Sequence, residues 1–196
     1  MLKTGRLFVT IAGLVLVGAC APKQETAAPE AEAPVETEVE VVEEVALVAM
    51  ATLQPRSGDT TTGTITFTET ADGVLIHARV EGAPPGLHGF HIHEVGDCSS
   101  EDFKSAGGHF NPTGAPHGGP TDAERHGGDL GNIEIGADGI GHLEVNSEQL
   151  TVAEGGNSVV GRGVILHEGE DDLESQPTGA AGARLACGVV TLEAVE

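Results

Sequence analysis

Short runs of alternating apolar and polar residues dominate the chain after residue 45 and predict β-strands. Gly63-Thr-Ile-Thr-Phe-Thr and Val74-Leu-Ile-His-Ala-Arg-Val are typical, because every second side chain of a strand faces the same side of its sheet. Turn-forming groups such as Ser57-Gly58-Asp59 separate the runs. The pattern predicts seven strand segments, at residues 45–53, 60–69, 73–81, 131–135, 142–145, 159–167 and 188–193.

This region shows no 3.6-residue apolar period of the kind that marks an amphipathic helix. Seven or eight antiparallel strands therefore predict an all-β sandwich or flattened barrel. Roughly fifty residues rich in Gly, Pro and His separate the third predicted strand from Asn132, and an irregular stretch of that length in a small domain is usually functional. We expect bound ligands to order this stretch.

The N-terminus has the features of an export signal. Lys3 and Arg6 precede an apolar segment, residues 7–18, that is too short to span a membrane. Val17-Gly18-Ala19-Cys20 resembles the end of a bacterial lipoprotein signal, so we expect residues 1–19 to be removed and Cys20 to carry lipid. The alternative is ordinary cleavage after Ala19, which leaves a free thiol.

Residues 20–44 form the next predicted unit, a lipidated N-terminus followed by an acidic disordered tether. Residues 21–44 contain eight Glu and one Lys, with no aromatic residue that could help to form a core. We expect the tether to hold a folded domain, residues 45–196, away from a membrane of the cell envelope. The outer membrane is favoured, because Ala21 does not resemble an inner-membrane retention signal.

The charge of the chain excludes one class of partner. The formal net charge is −22, and residues 45–196 hold 23 acidic against six basic residues, so there is no basic surface for nucleic acid.

Histidine supplies the candidate chemistry. His91 and His93 alternate along a strand, so they face the same side and can share one metal ion. A Gly- and Pro-rich loop carrying further ligand-type residues can fold around a second ion, and His109 lies between the two groups as a natural bridge. Imidazole and carboxylate groups suit first-row metals, copper and zinc among them. The candidate ligands are His91, His93, His109, His117, His126, Asp129 and His167.

Two long segments carry a family resemblance. GFHIHEVGDC at residues 89–98 and GGHFNPTGAPHGGPTDAERHGGDLGN at residues 107–132 resemble the metal-binding segments of copper/zinc superoxide dismutases. The resemblance extends over the whole predicted domain and implies a Greek-key barrel of about eight strands with long metal-binding loops. It also implies dismutation of superoxide to oxygen and hydrogen peroxide by copper redox cycling. The N-terminal signal resembles that of a bacterial exported lipoprotein member, which would protect the cell envelope.

The resemblance assigns two ligand sets, with one copper and one zinc per chain. The predicted copper set is His91, His93, His109 and His167. The predicted zinc set is His109, His117, His126 and Asp129, with the His109 imidazole shared between the two ions.

The family pattern also assigns supporting residues. Arg184 would dock the superoxide anion beside copper. Asp171, in preference to its neighbour Asp172, would link a copper ligand to a zinc ligand. His88 is expected to be a hydrogen-bonded structural residue. Two other histidines, at positions 77 and 142, are expected to be solvated surface residues.

Cys98 and Cys187 would form the disulfide that the family has, the alternative being two buried reduced thiols.

A second function is compatible with the same ligands. A periplasmic copper or zinc buffer, or a metal-delivery protein, could use this scaffold, although storage does not require Arg184.

The segment 171–184 is short and lacks Lys, which predicts weaker electrostatic steering of superoxide than in family members with a longer loop. Lys104 is expected to add a steering charge. The sequence leaves a homodimer open.

Overall fold

A computed structural model describes residues 46–194, all of which belong to the unit Glu43–Glu196. The predicted signal, the predicted lipid acceptor Cys20 and the predicted tether lie outside the described residues. Within residues 46–194, no helix is both long and apolar enough to cross a bilayer.

Antiparallel strands account for the regular structure of the described region. The strands are β1 (Val48–Pro55), β2 (Thr62–Thr70), β3 (Gly73–Glu81), β4 (Gly86–His93), β5 (Asp129–Ile135), β6 (Ile140–Ser147), β7 (Gly163–His167), β8 (Arg184–Val189) and the two-residue β9 (Thr191–Leu192). They pair in the order β2-β3-β6-β5-β4-β7-β8-β1-β9, and β1 also pairs with β2, which closes a barrel. A 3-10 turn at Lys104–Ala106 is the single helical element of residues 46–194. The all-β prediction is confirmed, in its barrel form.

The seven predicted strand segments did not include β4, although His91 and His93 were placed on a strand, and burial explains why. Every residue from His88 to His93 is buried, so the apolar and polar alternation of a half-exposed strand is absent there. Phe90 and Ile92 belong to the barrel core. His91 and His93 face the opposite side of the strand and are nevertheless fully buried, with no exposed surface. The loops around the barrel therefore cover a second interior, which is lined by histidine.

Two loops form this cover. One runs from β4 to β5 across residues 94–128, and the other runs from β7 to β8 across residues 168–183. A disulfide between Cys98 and Cys187 ties the first loop to β8; the two Cα atoms are 5.8 Å apart and the sequence separation is 89. The predicted disulfide is confirmed, and the alternative of two reduced thiols is excluded.

Candidate metal centre

The predicted copper set converges at the outer side of β4. His91 and His93 lie on β4, His167 ends the neighbouring β7, and His109 pairs with His93 through an isolated bridge. Each of the four side chains is buried and offers a ring nitrogen within 4.8 Å of the other three. The structure thus brings together four residues that span 77 positions of sequence, counting from His91 to His167.

Hydrogen bonds on the far side of two rings determine which nitrogen is left for a metal. His93 Nδ1–H donates to the Gly107 carbonyl at 3.0 Å, and His167 Nδ1–H donates to the Gly182 carbonyl at 3.3 Å. The Nε2 atoms of these two rings then carry no proton. They lie only 3.4 Å apart, so their lone pairs face one small space.

The predicted zinc set converges on the carboxylate of Asp129. Its Oδ1 lies 2.8 Å from His109 Nδ1 and 3.1 Å from the Nδ1 atoms of His117 and His126. Its Oδ2 accepts the backbone N–H groups of Gly118 and His126 at 3.1 and 3.0 Å. Three imidazoles and one carboxylate around a common point are a ligand set that suits four-coordinate zinc.

Three buried ring nitrogens have no hydrogen-bond partner within the described residues: His91 Nδ1, His109 Nε2 and His117 Nδ1. Leaving a buried polar atom unpaired costs about 1–3 kcal/mol. Three such atoms in one cluster are therefore unfavourable unless another group binds them. A metal ion is a fitting partner, because each of these nitrogens belongs to one of the two ligand sets.

Asp171 connects the two sets. Its Oδ2 accepts a hydrogen bond from His91 Nε2–H at 2.7 Å, and its Oδ1 accepts one from His117 Nε2–H at 3.0 Å. Both rings are thereby held with Nδ1 unprotonated. These two Nδ1 atoms are among the three ring nitrogens that lack a partner. Asp172, in contrast, is exposed and accepts hydrogen bonds from Ser175.

Three residues that sequence analysis missed hold Asp171 and His117 in place. Asn132 exchanges two hydrogen bonds with the Asp171 backbone, at 2.8 and 2.9 Å. Gln176 does the same for the His117 backbone, also at 2.8 and 2.9 Å. Gly179 packs so closely that a Cβ there would lie 1.7 Å from Asp171 Oδ1. The sequence offered one sign of such a role: Asn132 is the last residue of the segment 107–132 that resembles the family.

Burial keeps these histidines neutral. It lowers the pKa of His91 and of His93, and it lowers the pKa of His167 to about 4. Burial alone would raise the pKa of Asp129, but the hydrogen bonds from the His109 ring and the Gly118 N–H lower it to about 2. The neutral imidazole and the ionised carboxylate are the forms that bind metal.

A cavity of about 360 Å³ reaches the predicted copper set. His93 and His167 form part of its lining, together with Arg184. The Arg184 guanidinium donates to the carbonyl groups of Phe103 and Gly107, both at 2.6 Å, so its position is fixed. A small anion in this cavity would meet a positive charge beside the two histidines.

The remaining histidines lie outside both sets. His88 lies between the carbonyl groups of His167 and Pro84, each 2.8 Å from a ring nitrogen, as expected for a structural residue. His77 and His142 are exposed on the outer face of β3 and β6, where they line a different cavity.

An antiparallel barrel that carries two adjoining sets of buried metal ligands, sharing one histidine, has the architecture of a dinuclear metal protein. Comparisons with known proteins agree. The family model described as copper/zinc superoxide dismutase matches residues 61–190. The chain therefore belongs to the copper/zinc superoxide dismutase family, which uses the two metals that the sequence predicts.

Individual relatives cover nearly all of this domain. The chain is 45% identical over 148 residues to a Cu-Zn superoxide dismutase of Onchocerca volvulus, covering 70% of this chain and 92% of that one. It is 43% identical over 155 residues to an extracellular Cu-Zn superoxide dismutase of Brugia pahangi, covering 74% of this chain and 76% of that one. A crystal structure of the clock protein EA4 is 39% identical with a TM-score of 0.68, covering 74% of this chain and 94% of that chain.

We predict that Asp171→Asn weakens metal binding, whereas Asp172→Asn does not. An amide at position 171 can accept a hydrogen bond from only one of the two imidazoles, and loss of such a supporting contact typically costs about 10–100-fold in metal affinity. Zinc and copper dissociation constants from competition with a chelator would measure the change. Equal affinities of the two variants would contradict the role of Asp171.

Proposed function

We propose that this chain dismutates superoxide, converting two superoxide anions and two protons to oxygen and hydrogen peroxide. The observation that carries the proposal is the cavity that joins Arg184 to two buried histidines with unprotonated Nε2 atoms. In this proposal the predicted copper set and the predicted zinc set hold the two metals. When bound, copper supplies the one-electron oxidation and reduction that dismutation requires, whereas zinc has no redox chemistry.

The protein's own residues bind and orient the substrate. Arg184 donates charge-assisted hydrogen bonds to the superoxide anion, because its guanidinium faces the cavity while two backbone carbonyl groups hold it. The buried His93 and His167 form the inner side of the cavity, whose volume of about 360 Å³ leaves room for a small anion.

His109 is the residue we assign to proton transfer. Its Nδ1 faces Asp129, whereas its buried Nε2 lacks a partner within residues 46–194. Nε2 therefore holds a proton in one half of the reaction and releases it to the reduced dioxygen species in the other. Asp171 does not touch substrate in this scheme and acts as a positioning residue for His91 and His117.

A metal buffer is the rival hypothesis, and Arg184 is the residue that distinguishes the two. A storage or delivery protein needs the ligand sets but no group that docks an anion. In the described structure Arg184 lines the same cavity as His93 and His167, which favours the enzyme.

We expect the full chain, loaded with one copper and one zinc, to dismutate superoxide rapidly. His91→Ala should lose activity and copper, because it removes a ligand, whereas the exposed His77→Ala should retain both. Arg184→Gln should keep its metals and lose about 10- to 150-fold in second-order rate constant, since one hydrogen bond to a charged group is worth about 1.5–3 kcal/mol. Pulse radiolysis with metal analysis on the same samples would test this. Full metal loading with negligible activity would favour the metal buffer.

We infer further that the protein is exported and carries a lipid at Cys20, as a bacterial lipoprotein with residues 1–19 as the signal, 20–44 as the tether and 45–196 as the domain. The disulfide between Cys98 and Cys187 supports an oxidising compartment. The printed name of the Brugia pahangi relative describes an extracellular enzyme, which is compatible with export. The proposed location is the periplasmic side of the cell envelope, with the outer membrane favoured.

The lipid anchor is tested by expressing the full chain in a bacterium that processes lipoproteins. The wild type should partition into detergent and incorporate labelled fatty acid, because several acyl chains bind a bilayer firmly. Cys20→Ser should do neither. A wild-type protein that stays in the aqueous phase without label would contradict lipidation and leave ordinary cleavage after Ala19.

We also infer that the domain forms a homodimer, with the exposed Val95 and Val189 side chains as the candidate contact. Val95 and Val189 are 45% and 36% exposed. A Cβ at Gly96 would lie 2.9 Å from Val189 Cγ1, so these residues are neighbours. Sedimentation equilibrium of the metal-loaded protein should give twice the monomer mass, and Val95→Glu should reduce it to the monomer mass. A monomeric wild type at the same concentration would contradict the dimer.

A further inference from the structure

We propose that Arg56, to which sequence analysis gave no role, guides superoxide into the cavity at the predicted copper set. The inference rests on the proposed function and adds a residue to it. Arg56 is not part of the loop between β7 and β8; it follows the last residue of β1.

The backbone fixes Arg56 beside Arg184. The Arg56 N–H donates to the Leu185 carbonyl at 2.8 Å, and Pro55 pairs with Ala186 in the adjoining strand register. Both arginines therefore belong to the same edge of the barrel. Their side chains line one cavity of about 360 Å³, together with His93 and His167.

The distribution of positive charge singles out this cavity. Residues 45–196 contain six Lys and Arg residues, and three of them line it: Arg56, Lys104 and Arg184. The other three are used elsewhere: Arg79 forms an ion pair with Glu81, Arg125 donates to the Asp122 carbonyl, and Arg162 packs over the Phe110 ring. In a domain with so few cations, placing half of them at one cavity is a strong local bias.

Of the cations at the cavity, Lys104 is neutralised. Its Nζ lies 2.8 Å from Asp102 Oδ2, and Asp102 lines the same cavity. Arg184 keeps its full charge, because its partners are carbonyl groups. Arg56 forms no ion pair with any residue in the described range 46–194. The net positive charge of the cavity therefore comes from Arg56 and Arg184.

Asp59, the acidic residue nearest in sequence, forms no ion pair with Arg56 in the described structure. Burial raises the pKa of Asp59, whereas hydrogen bonds from Thr61 and Thr60 and, last, the Arg56 charge lower it. Asp59 Oδ1 accepts hydrogen bonds from the N–H of Thr60 at 2.8 Å and from the N–H and hydroxyl of Thr61 at 3.1 and 2.7 Å. These contacts hold the Asp59 carboxylate within its own turn. Arg56 lines the cavity without an ion-pair partner among residues 46–194.

This arrangement revises the expectation of weak steering. That expectation considered residues 171–184 and Lys104, and it overlooked a charge supplied from the end of β1. A charge at the cavity acts on an approaching anion over about one Debye length, some 10 Å at 0.1 M salt, even when the distant surface is acidic. Arg56 supplies from another element a charge that the short loop lacks.

Charge variants at position 56 test the proposal, with Arg79→Gln as a control that changes the net charge equally but lies outside the cavity. All variants of the full chain are compared at equal copper and zinc content. At low ionic strength we expect Arg56→Gln to lower the second-order rate constant about two- to fivefold and Arg56→Glu to lower it more, both differences shrinking as salt shortens the Debye length. Arg56→Lys should retain most of the rate, and Arg79→Gln should match the wild type.

A second readout separates this inference from the proposed function. Azide, a small anion, is titrated into the copper-loaded protein and its dissociation constant is read from the copper absorption. Arg56→Gln should weaken azide binding at low salt, whereas Arg56→Lys and Arg79→Gln should not. This holds even if the wild type proves to be a metal buffer with no dismutase activity.

Two outcomes would overturn the role of Arg56. One is an Arg56→Gln protein that matches Arg79→Gln in azide affinity at low salt. The other is a loss of rate or affinity that is unchanged between low and high salt, because such a loss would come from a structural defect and not from charge.

Discussion

The carboxylate of Asp171, buried between two imidazoles, is the interaction on which the metal centre depends. A buried carboxylate is unfavourable unless strong hydrogen bonds compensate it, and Asp171 receives them from His91 and His117. These bonds determine which nitrogen of each ring is protonated, so both Nδ1 atoms are left for metal. One side chain therefore orients a ligand from each of the two sets, and neither set is independent of the other.

The loops and the barrel contribute different parts of this arrangement. β4 presents His91 and His93 on the side facing away from the core, and the loop across residues 94–128 covers them while supplying the shared His109. The same loop accepts the Arg184 guanidinium at two carbonyl groups and is tied to β8 by the disulfide. Ligands, anion-docking residue and covalent link are thus parts of one connected structure.

The sequence was informative where a residue's chemistry is visible in its own neighbourhood. The predicted segments overlap seven of the eight longer strands, with 73–81 matching β3 at both ends. The alternation pattern missed β4 because both faces of that strand are buried. The spacing of His91 and His93 predicted that they share one ion, and the family resemblance implied the two full ligand sets, whose members the structure brings together. Asp171 followed from the family pattern.

Other residues could not be identified in this way, because their roles come from distant contacts. Asn132 contacts Asp171 across 39 positions, and Gln176 contacts His117 across 59. Neither amide signals a function in its local sequence. Arg56 is separated from Arg184 by 128 positions in sequence, and its role becomes visible only because the fold places both residues at one cavity.

The most direct test of the account is a crystal structure of the copper- and zinc-loaded protein with anomalous diffraction at both absorption edges. We predict two ions per chain, copper bound by nitrogens of the predicted copper set and zinc bound by the predicted zinc set, with Asp171 still between His91 and His117. A single ion per chain, or two ions that do not flank His109, would contradict the shared, Asp171-linked centre.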